Sequence, residues 1–173
     1  MTPPLPEPWL RGPLAGISAV LQPPAHAFVM AREDVEGAVA GLAPDQVWAC
    51  PGGAASIGFH LAHIAGSTER LLTYARGESL SEAQFAALAE EGEIARARPR
   101  LETMLDAWRQ TVDRALQQLA NTAEETLFEP RVVGRARLPS TVLGLIFHSA
   151  EHAQRHAGQI ITTVKVVRGS RDV

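Results

Sequence analysis

Three of the six histidines in this 173-residue chain lie four residues apart, in the stretch HSAEHAQRH at residues 148–156. Imidazole nitrogens are common ligands of zinc and other divalent metals. On a helix, residues four apart lie about 40° apart in azimuth and about 6 Å apart along the axis, so neighbours in this row can bind one ion. The outer pair, His148 and His156, are about 12 Å apart along the axis, so all three could do so only with difficulty. The stretch is therefore a candidate source of metal ligands, and a pH-sensitive row in a helical core or a coincidence of spacing are the alternatives.

A second pair of histidines, His60 and His63 in HLAH, lies about ninety residues earlier. Helical metal sites commonly take two imidazoles from one helix and a further ligand from a facing helix. Several neutral imidazoles buried together would otherwise need several hydrogen-bond partners. An isolated residue such as His26 is, by contrast, ordinary in a helical protein. The two clusters together favour a metal site between two helices.

A competing motif lies inside the same stretch, because His148, Glu151 and His152 spell H-x-x-E-H. In inverzincin metalloproteases both histidines of this pattern bind zinc and the glutamate activates water. Five residues match easily by chance, and this interpretation leaves HLAH and His156 unexplained. Glu151 also lies about 100° from His152 around the helix, which favours a solvated or salt-bridging glutamate. The H-E-x-x-H motif, a Walker loop, a Rossmann glycine fingerprint and paired CxxC motifs are absent from the sequence.

Composition excludes several classes of protein. The net charge is -3, without a long block of like charge, which argues against a partner bound through phosphates and hence against nucleic acid. The one cysteine, Cys50, cannot form an internal disulfide. The N-terminus lacks the features of a signal peptide, and no stretch approaches the roughly twenty apolar residues of a membrane span. We expect a cytoplasmic protein with no membrane partner.

The hydrophobic pattern predicts four principal helices, which is typical of an all-α four-helix bundle. The first is expected to begin at Pro23 and Pro24, the second after CPGGAAS, the third at Leu101, and the fourth at Ser140 as N-cap with an end near Val167.

The rest of the chain is predicted to connect or flank these helices. SEAQFAALAEE predicts a minor helix, and residues 121–139 are expected to form a long connection with some extended character, where a β-hairpin is conceivable. The predicted domain organisation is a proline-rich, extended or loosely attached segment over residues 1–20, a metal-binding bundle over 21–168 and a tail over 169–173.

Two stretches, SIGFHLAHI and HSAEHAQRHAGQI, resemble the DinB/YfiT-like family of metalloenzymes. The resemblance extends from the first helix to about residue 165. It implies an up-down-down-up four-helix bundle in which three histidines hold a divalent metal, typically zinc or nickel. Carried over by position, these ligands are His63, His152 and His156.

His60 and His148 lie beside this motif and are assigned to the surroundings of the ligands or to the pocket wall. Gln159, about one turn past His156, is a candidate to orient a ligand or line the pocket, and an exposed glutamine is the alternative. Some relatives, among them the mycothiol-dependent maleylpyruvate isomerases, have glutamate as the middle ligand. Here that position is His152, so the sequence resembles the three-histidine branch.

Three neutral imidazoles leave the dipositive charge of an ion uncompensated, which favours a lowered pKa of a bound water or thiol. The resemblance implies transfer of a low-molecular-weight thiol such as bacillithiol, mycothiol or glutathione to a small electrophilic molecule. Cys50 is not expected to act as the nucleophile, because the external thiol supplies the sulfur. A metal-dependent hydrolase and a non-catalytic stress-response binding protein with a vestigial metal site are the alternatives. The resemblance also implies a homodimer.

Overall fold

A computed structural model describes residues 5–169, so the first four residues of the predicted lead segment and the last four of the predicted tail lie outside the described residues. The described helices, in chain order, are α1 (Gln22–Val39), α2 (Pro44–Val47), α3 (Ile57–Ala75), α4 (Glu82–Gly92), α5 (Ile94–Ala97), α6 (Leu101–Ala120) and α7 (Val142–Gly169). Two strands, β1 (Pro130–Val133) and β2 (Leu138–Thr141), pair antiparallel between α6 and α7. The four longest helices, α1, α3, α6 and α7, pack against one another and form the bundle.

Side chains at the helix starts explain where two of the long helices begin. Ser56 accepts a hydrogen bond from the backbone N–H of Phe59 and so caps α3 (3.1 Å). At α7 the Thr141 hydroxyl accepts from the N–H of Gly144 (3.0 Å). The expectation that Ser140 caps this helix is therefore wrong by one residue, because the first helical residue is Val142 and Thr141 directly precedes it.

Helices α1 and α6 run antiparallel, as two ion pairs across their contact show. Arg32 bonds Asp113 (2.9 Å), and Glu36, one turn further along α1, bonds Arg109, one turn earlier along α6 (2.7 Å). Advancing along one helix therefore means going back along the other.

Helices α1 and α7 run parallel. The side chain of Gln154 donates to the carbonyl of Ala27 (2.7 Å), and that of Arg168 donates to the carbonyl of Ala40 (2.7 Å). Thirteen to fourteen residues later in both helices, the two chains are thus still side by side, which is the mark of parallel packing.

Helices α3 and α6 also run parallel. Glu69 accepts from Arg114 (2.7 Å), and the carbonyl of Leu72 accepts from Gln118 (3.0 Å). Since α6 is antiparallel to α1, and α7 is parallel to α1, the order α1, α3, α6, α7 is up-down-down-up. The predicted fold class is confirmed.

The core fills the centre of this bundle with apolar side chains from all four long helices. Fully buried members are Phe28, Val35, Leu61, Ile64, Trp108, Val112, Ile146 and Ile160. Burying a side chain of this size contributes about 1.5–3 kcal/mol relative to leaving it exposed. On α7 the buried positions also include small residues, Ala150, Ala153 and Ala157, which let its backbone approach the other helices.

The described part of the lead segment is bound to α1 and is not loosely attached. Arg11 forms two hydrogen bonds with the carboxylate of Glu33 (2.7 and 2.8 Å). His26 donates a ring N–H to the carbonyl of Gly12 (3.0 Å). The prolines predict an extended segment, but nothing in their pattern indicates these contacts with α1.

Residues 121–139, predicted as a connection with some extended character, contain the first strand and the turn of the hairpin. Pro130 pairs with Thr141, and Val133 pairs with Leu138. Strands of four residues are too short for hydrophobic alternation to identify them. Among the described helices, none has both the length and the apolar character needed to cross a membrane.

Candidate metal centre

The antiparallel contact of α3 with α7 brings His63, His152 and His156 together. One ring nitrogen from each of the three lies within 4.8 Å of the others. Nε2 of His63 is 2.9 Å from Nε2 of His152. Nitrogens that bind one ion at about 2.0–2.1 Å lie about 2.9–3.4 Å apart for bond angles between 90° and tetrahedral, so this separation fits a shared ion.

The environment keeps two of these imidazoles in the neutral form that binds metals. Burial, followed by the proximity of His152, His63 and His60, lowers the pKa of His156 to about 4. Burial and the neighbouring His63 likewise lower the pKa of His152. Both rings are therefore uncharged at neutral pH, with a lone pair on one nitrogen.

Two buried polar atoms next to the cluster have no hydrogen-bond partner in the part of the chain that the structure describes. Nδ1 of His152 has no hydrogen-bond partner among the described residues, and neither does the hydroxyl of Ser149, which lies one turn earlier on α7. Buried polar atoms are rarely left unpaired, because each costs about 1–3 kcal/mol. Nε2 of His152, and not Nδ1, faces His63, so the fit to a divalent metal rests on the three converging imidazole nitrogens, which are ordinary ligands of such an ion.

Glu91, on the short helix α4, fixes the orientation of one candidate ligand. Its Oε1 accepts a hydrogen bond from Nδ1 of His63 (2.5 Å), and its Oε2 accepts from Nη1 of Arg70 (3.0 Å). Burial raises the pKa of Glu91, but the hydrogen bonds and charges of His63 and Arg70 outweigh it and leave the pKa below its usual value. The ionised carboxylate thus holds the proton of His63 on Nδ1 and leaves the lone pair on Nε2, on the side of His152.

The sequence alone does not single out Glu91 or Arg70 as residues of the site. A metal-binding histidine usually donates its second N–H to a carboxylate or carbonyl, so a partner of this kind could be expected for each ligand, but this rule does not identify the residue. The acidic segment SEAQFAALAEE contains several glutamates, and nothing in their spacing shows which of them reaches back to α3.

The residues predicted to lie beside the ligands occupy three different environments. His60 is buried, and its Nδ1 is 2.8 Å from Nδ1 of His156, so one ring donates to the other. The half-exposed ring of His148 has its centroid 5.6 Å from that of His152. Gln159 is exposed, about 20° from His152 around α7, and its place on a pocket wall stays a prediction.

Glu151 is engaged on the outside of α7. Its carboxylate oxygens accept from Nη2 of Arg155 (2.6 and 2.7 Å), as expected for a salt-bridging residue. This pairing leaves the H-x-x-E-H interpretation without a free glutamate. Cys50 is exposed in the loop before α3 and is not part of the histidine cluster.

Two sizeable surface cavities lie away from the histidines. One of about 490 Å³ is lined by residues that include Trp48 and Arg100, and another of about 530 Å³ by residues that include Tyr74 and Arg131. We place the candidate site at the histidines because the converging donor atoms are there, and a cavity volume alone supplies no chemistry.

A family model described as the DinB superfamily matches residues 27–160, which is more than half of the chain. No curated protein matches the sequence. The matched range includes every residue of the histidine cluster and of its Glu91–Arg70 support. The order and directions of the long helices agree with the bundle that the resemblance implied. The chain belongs to the DinB superfamily.

Proposed function

We propose that the chain is a metal-dependent enzyme that transfers a low-molecular-weight thiol to a small electrophilic substrate. The observation that carries this proposal is the cluster His63, His152 and His156, in which the donors are imidazoles and no carboxylate is among them. A divalent ion bound there, zinc or nickel by the preference of imidazole ligands, would keep its full charge and favour deprotonation of a bound thiol.

The neighbouring residues have supporting roles in this proposal. Glu91 accepts a hydrogen bond from the His63 ring, and one hydrogen bond joins the rings of His60 and His156. His148 is half-exposed beside His152, so it can accept a proton from an arriving thiol and pass it to solvent. The apolar ring of Phe59 stacks on His63 (centroids 5.6 Å apart) and limits its movement.

The carboxylates near the cluster favour a thiol over water as the nucleophile. Glu91 is bound by His63 and Arg70, and Glu151 is bound by Arg155. Hydrolysis usually requires a general base placed to take a proton from water. A thiol has an ordinary pKa of about 8.5 and needs far less assistance to ionise.

A metal-dependent hydrolase is the second candidate, and His148 is the observation that favours it. Its exposed imidazole lies close enough to the cluster to accept a proton from an attacking water. A non-catalytic binding protein with a vestigial metal site is the third candidate.

The deciding experiment quantifies metal in protein purified without chelators and then tests turnover. We expect about one equivalent of zinc or nickel, and thiol-dependent consumption of an electrophilic aryl halide with bacillithiol, mycothiol or glutathione. His156→Ala is the control that should abolish both. Ester hydrolysis without added thiol would support the hydrolase, and fully loaded protein without either activity would support the binding protein. A metal content below about a tenth of an equivalent would contradict both enzymatic proposals.

We also propose that the protein is a homodimer. Large apolar side chains are exposed on its surface, among them Phe128, Leu138 and Phe147. Exposed apolar groups of this size favour association with another protein surface. Light scattering coupled to size exclusion should give twice the mass of the chain, and a monomer at micromolar concentration would contradict the proposal.

A further inference from the structure

Helix α4 lies outside the four-helix bundle and packs against α3. One of its side chains, that of Glu91, is nevertheless directed into the protein. Taken as whole residues, those of α4 are exposed or partly exposed. The side chain of Glu91 is nevertheless only 10% exposed, because it points back to His63 and Arg70. Its neighbour Glu90 is exposed to solvent. The burial of one carboxylate on an otherwise exposed helix requires a reason, since desolvating a charge is costly.

Gly66 provides the space in which this carboxylate meets its arginine. A Cβ atom at Gly66 would lie 2.7 Å from Nη1 of Arg70 and 2.8 Å from Oε2 of Glu91, closer than such contacts allow. Glycine inside a helix costs about 0.5–1 kcal/mol relative to alanine. Gly66 lies inside α3, so it lowers the stability of this helix, and it leaves the space that the Glu91–Arg70 ion pair occupies.

We propose that Glu91 is a positioning residue of the metal centre: it holds the Nδ1 proton of His63 so that Nε2 faces the site, and Arg70 fixes Glu91 over Gly66. The inference rests on the proposed metal site for its functional meaning. Its physical basis is general, because a carboxylate that accepts the second N–H of a metal-binding histidine sets the tautomer and raises the basicity of the ligand. Helix α4 is thereby a part of the site and not only a surface attachment.

A second attachment of α4 makes the role of Glu91 separable from the role of the helix. Nε2 of Gln84 donates to the hydroxyl of Thr73 on α3 (2.8 Å). Ser81 caps α4 and Gln84 completes the capping box. Substitution of Glu91 therefore removes the contact with His63 while α4 keeps its own cap and its bond to α3.

The test compares Glu91→Ala and Glu91→Gln with Glu90→Ala, which removes the same charge from the adjacent exposed position. Zinc affinity is measured by competition with a chromophoric chelator. We expect affinity to fall about 10- to 100-fold in Glu91→Ala. The amide oxygen of Glu91→Gln still accepts the His63 proton, so this variant should recover part of the loss. Glu90→Ala should stay within about twofold of the wild type, because its side chain lies outside the site.

A measurement on metal-free protein tests the same proposal independently of metal binding. In ¹⁵N spectra of the imidazoles, His63 should be in the Nδ1–H tautomer in the wild type and should shift toward Nε2–H in Glu91→Ala. If wild-type protein binds no zinc, the proposed function fails, and the tautomer still decides whether Glu91 sets His63. An unchanged tautomer and unchanged zinc affinity in Glu91→Ala would overturn the inference.

Gly66→Ala tests the part assigned to Arg70 without removing any charged group. The added methyl displaces the ion pair, so zinc affinity should fall about two- to tenfold. Gly37→Ala is the matched control, because Gly37 is also inside a helix and a Cβ there meets no atom within 4 Å. Wild-type affinity in Gly66→Ala, or an equal loss in Gly37→Ala, would overturn the role of Arg70 and Gly66.

Discussion

The two antiparallel helix contacts of the bundle use polar residues in different ways. Between α1 and α6 the polar groups are ion pairs at the surface, such as Arg32 with Asp113, and the interior is apolar. Between α3 and α7 the polar groups are imidazoles that face one another inside the contact, such as His63 with His152. Exposed ion pairs of this kind have little effect on the free energy of unfolding. Buried imidazoles lower the stability of the fold unless a partner binds their lone pairs. The α3–α7 contact therefore contains polar groups that serve a site, where apolar side chains would pack with less cost in free energy.

The largest expected effect comes from removing a ligand on the imidazole side. His63→Ala, His152→Ala and His156→Ala should each reduce bound metal below about a tenth of an equivalent, because two imidazoles hold an ion far more weakly than three. Elemental analysis after chelator-free purification checks this. His26→Ala is the control, because His26 bonds the carbonyl of Gly12 and is not part of the histidine cluster. Full metal content in any of the three variants would contradict the ligand set.

Loss of metal should also be visible as lost stabilisation. An ion that binds only the folded state stabilises it by about 2.7 kcal/mol when its free concentration is a hundred times Kd. The wild type should therefore show a higher Tm with zinc than without, and His63→Ala should not.

Truncation of the apolar core tests whether stability and metal binding are separable. Phe28 is fully buried on α1, and Phe28→Ala should lower the free energy of unfolding by about 3–5 kcal/mol. Urea denaturation measures the loss. The fraction of Phe28→Ala that remains folded should keep its metal. Loss of metal from protein with native circular dichroism would show that the core around α1 and the α3–α7 histidine site are coupled.

Acidification should weaken the imidazole contact selectively. The pKa of His156 in the folded protein is about 4, below its ordinary value of 6.5. A pKa lowered by folding means that stability is complete above about pH 6.5 and is lost as the pH falls toward 4, because the unfolded chain takes up the proton first. Allowing for partial solvent screening, we expect metal-free protein to lose about 1 kcal/mol between pH 7 and pH 5.

Denaturation curves of metal-free protein at the two pH values provide the measurement. His156→Gln removes one of the groups that titrate and should reduce the pH dependence. A larger pH dependence in this variant than in the wild type would mean that burial of His156 is not its source.

The smallest effect is expected at the surface ion pairs. The Asp113 side chain is 69% exposed, so Asp113→Asn should lower the free energy of unfolding by no more than about 0.5 kcal/mol. Metal content and the pH dependence of stability should not change. A loss above about 2 kcal/mol would show that the α1–α6 contact depends on polar groups as strongly as the α3–α7 contact.

The helical pattern predicts the four long helices, and the histidine spacing favours a site between two of them, because both depend on helix periodicity. The directions of the helices and the choice of His63, His152 and His156 came from the family resemblance. The end of α7 was predicted near Val167, and the helix reaches Gly169. The strands on either side of Gly134 have four residues each, too few for the pattern to indicate more than a conceivable hairpin, and the sequence favours Ser140 as the cap where the structure has Thr141. Glu91 could not be predicted, since its approach to His63 depends on how α4 folds back over α3, which no local pattern encodes.

The four-residue repeat of histidines on α7 is nearly unchanged by a slip of one turn. Sliding α7 by about 6 Å along α3 would present His148 and His152 in place of His152 and His156. The repeat therefore specifies a pair of imidazoles but not which pair. Other residues of α7 favour the observed register, among them Gln154 and Arg168, whose side chains bond the carbonyls of Ala27 in α1 and Ala40 directly after it. We expect substitutions at Gln154 and Arg168 to weaken this choice between histidine pairs without altering any histidine.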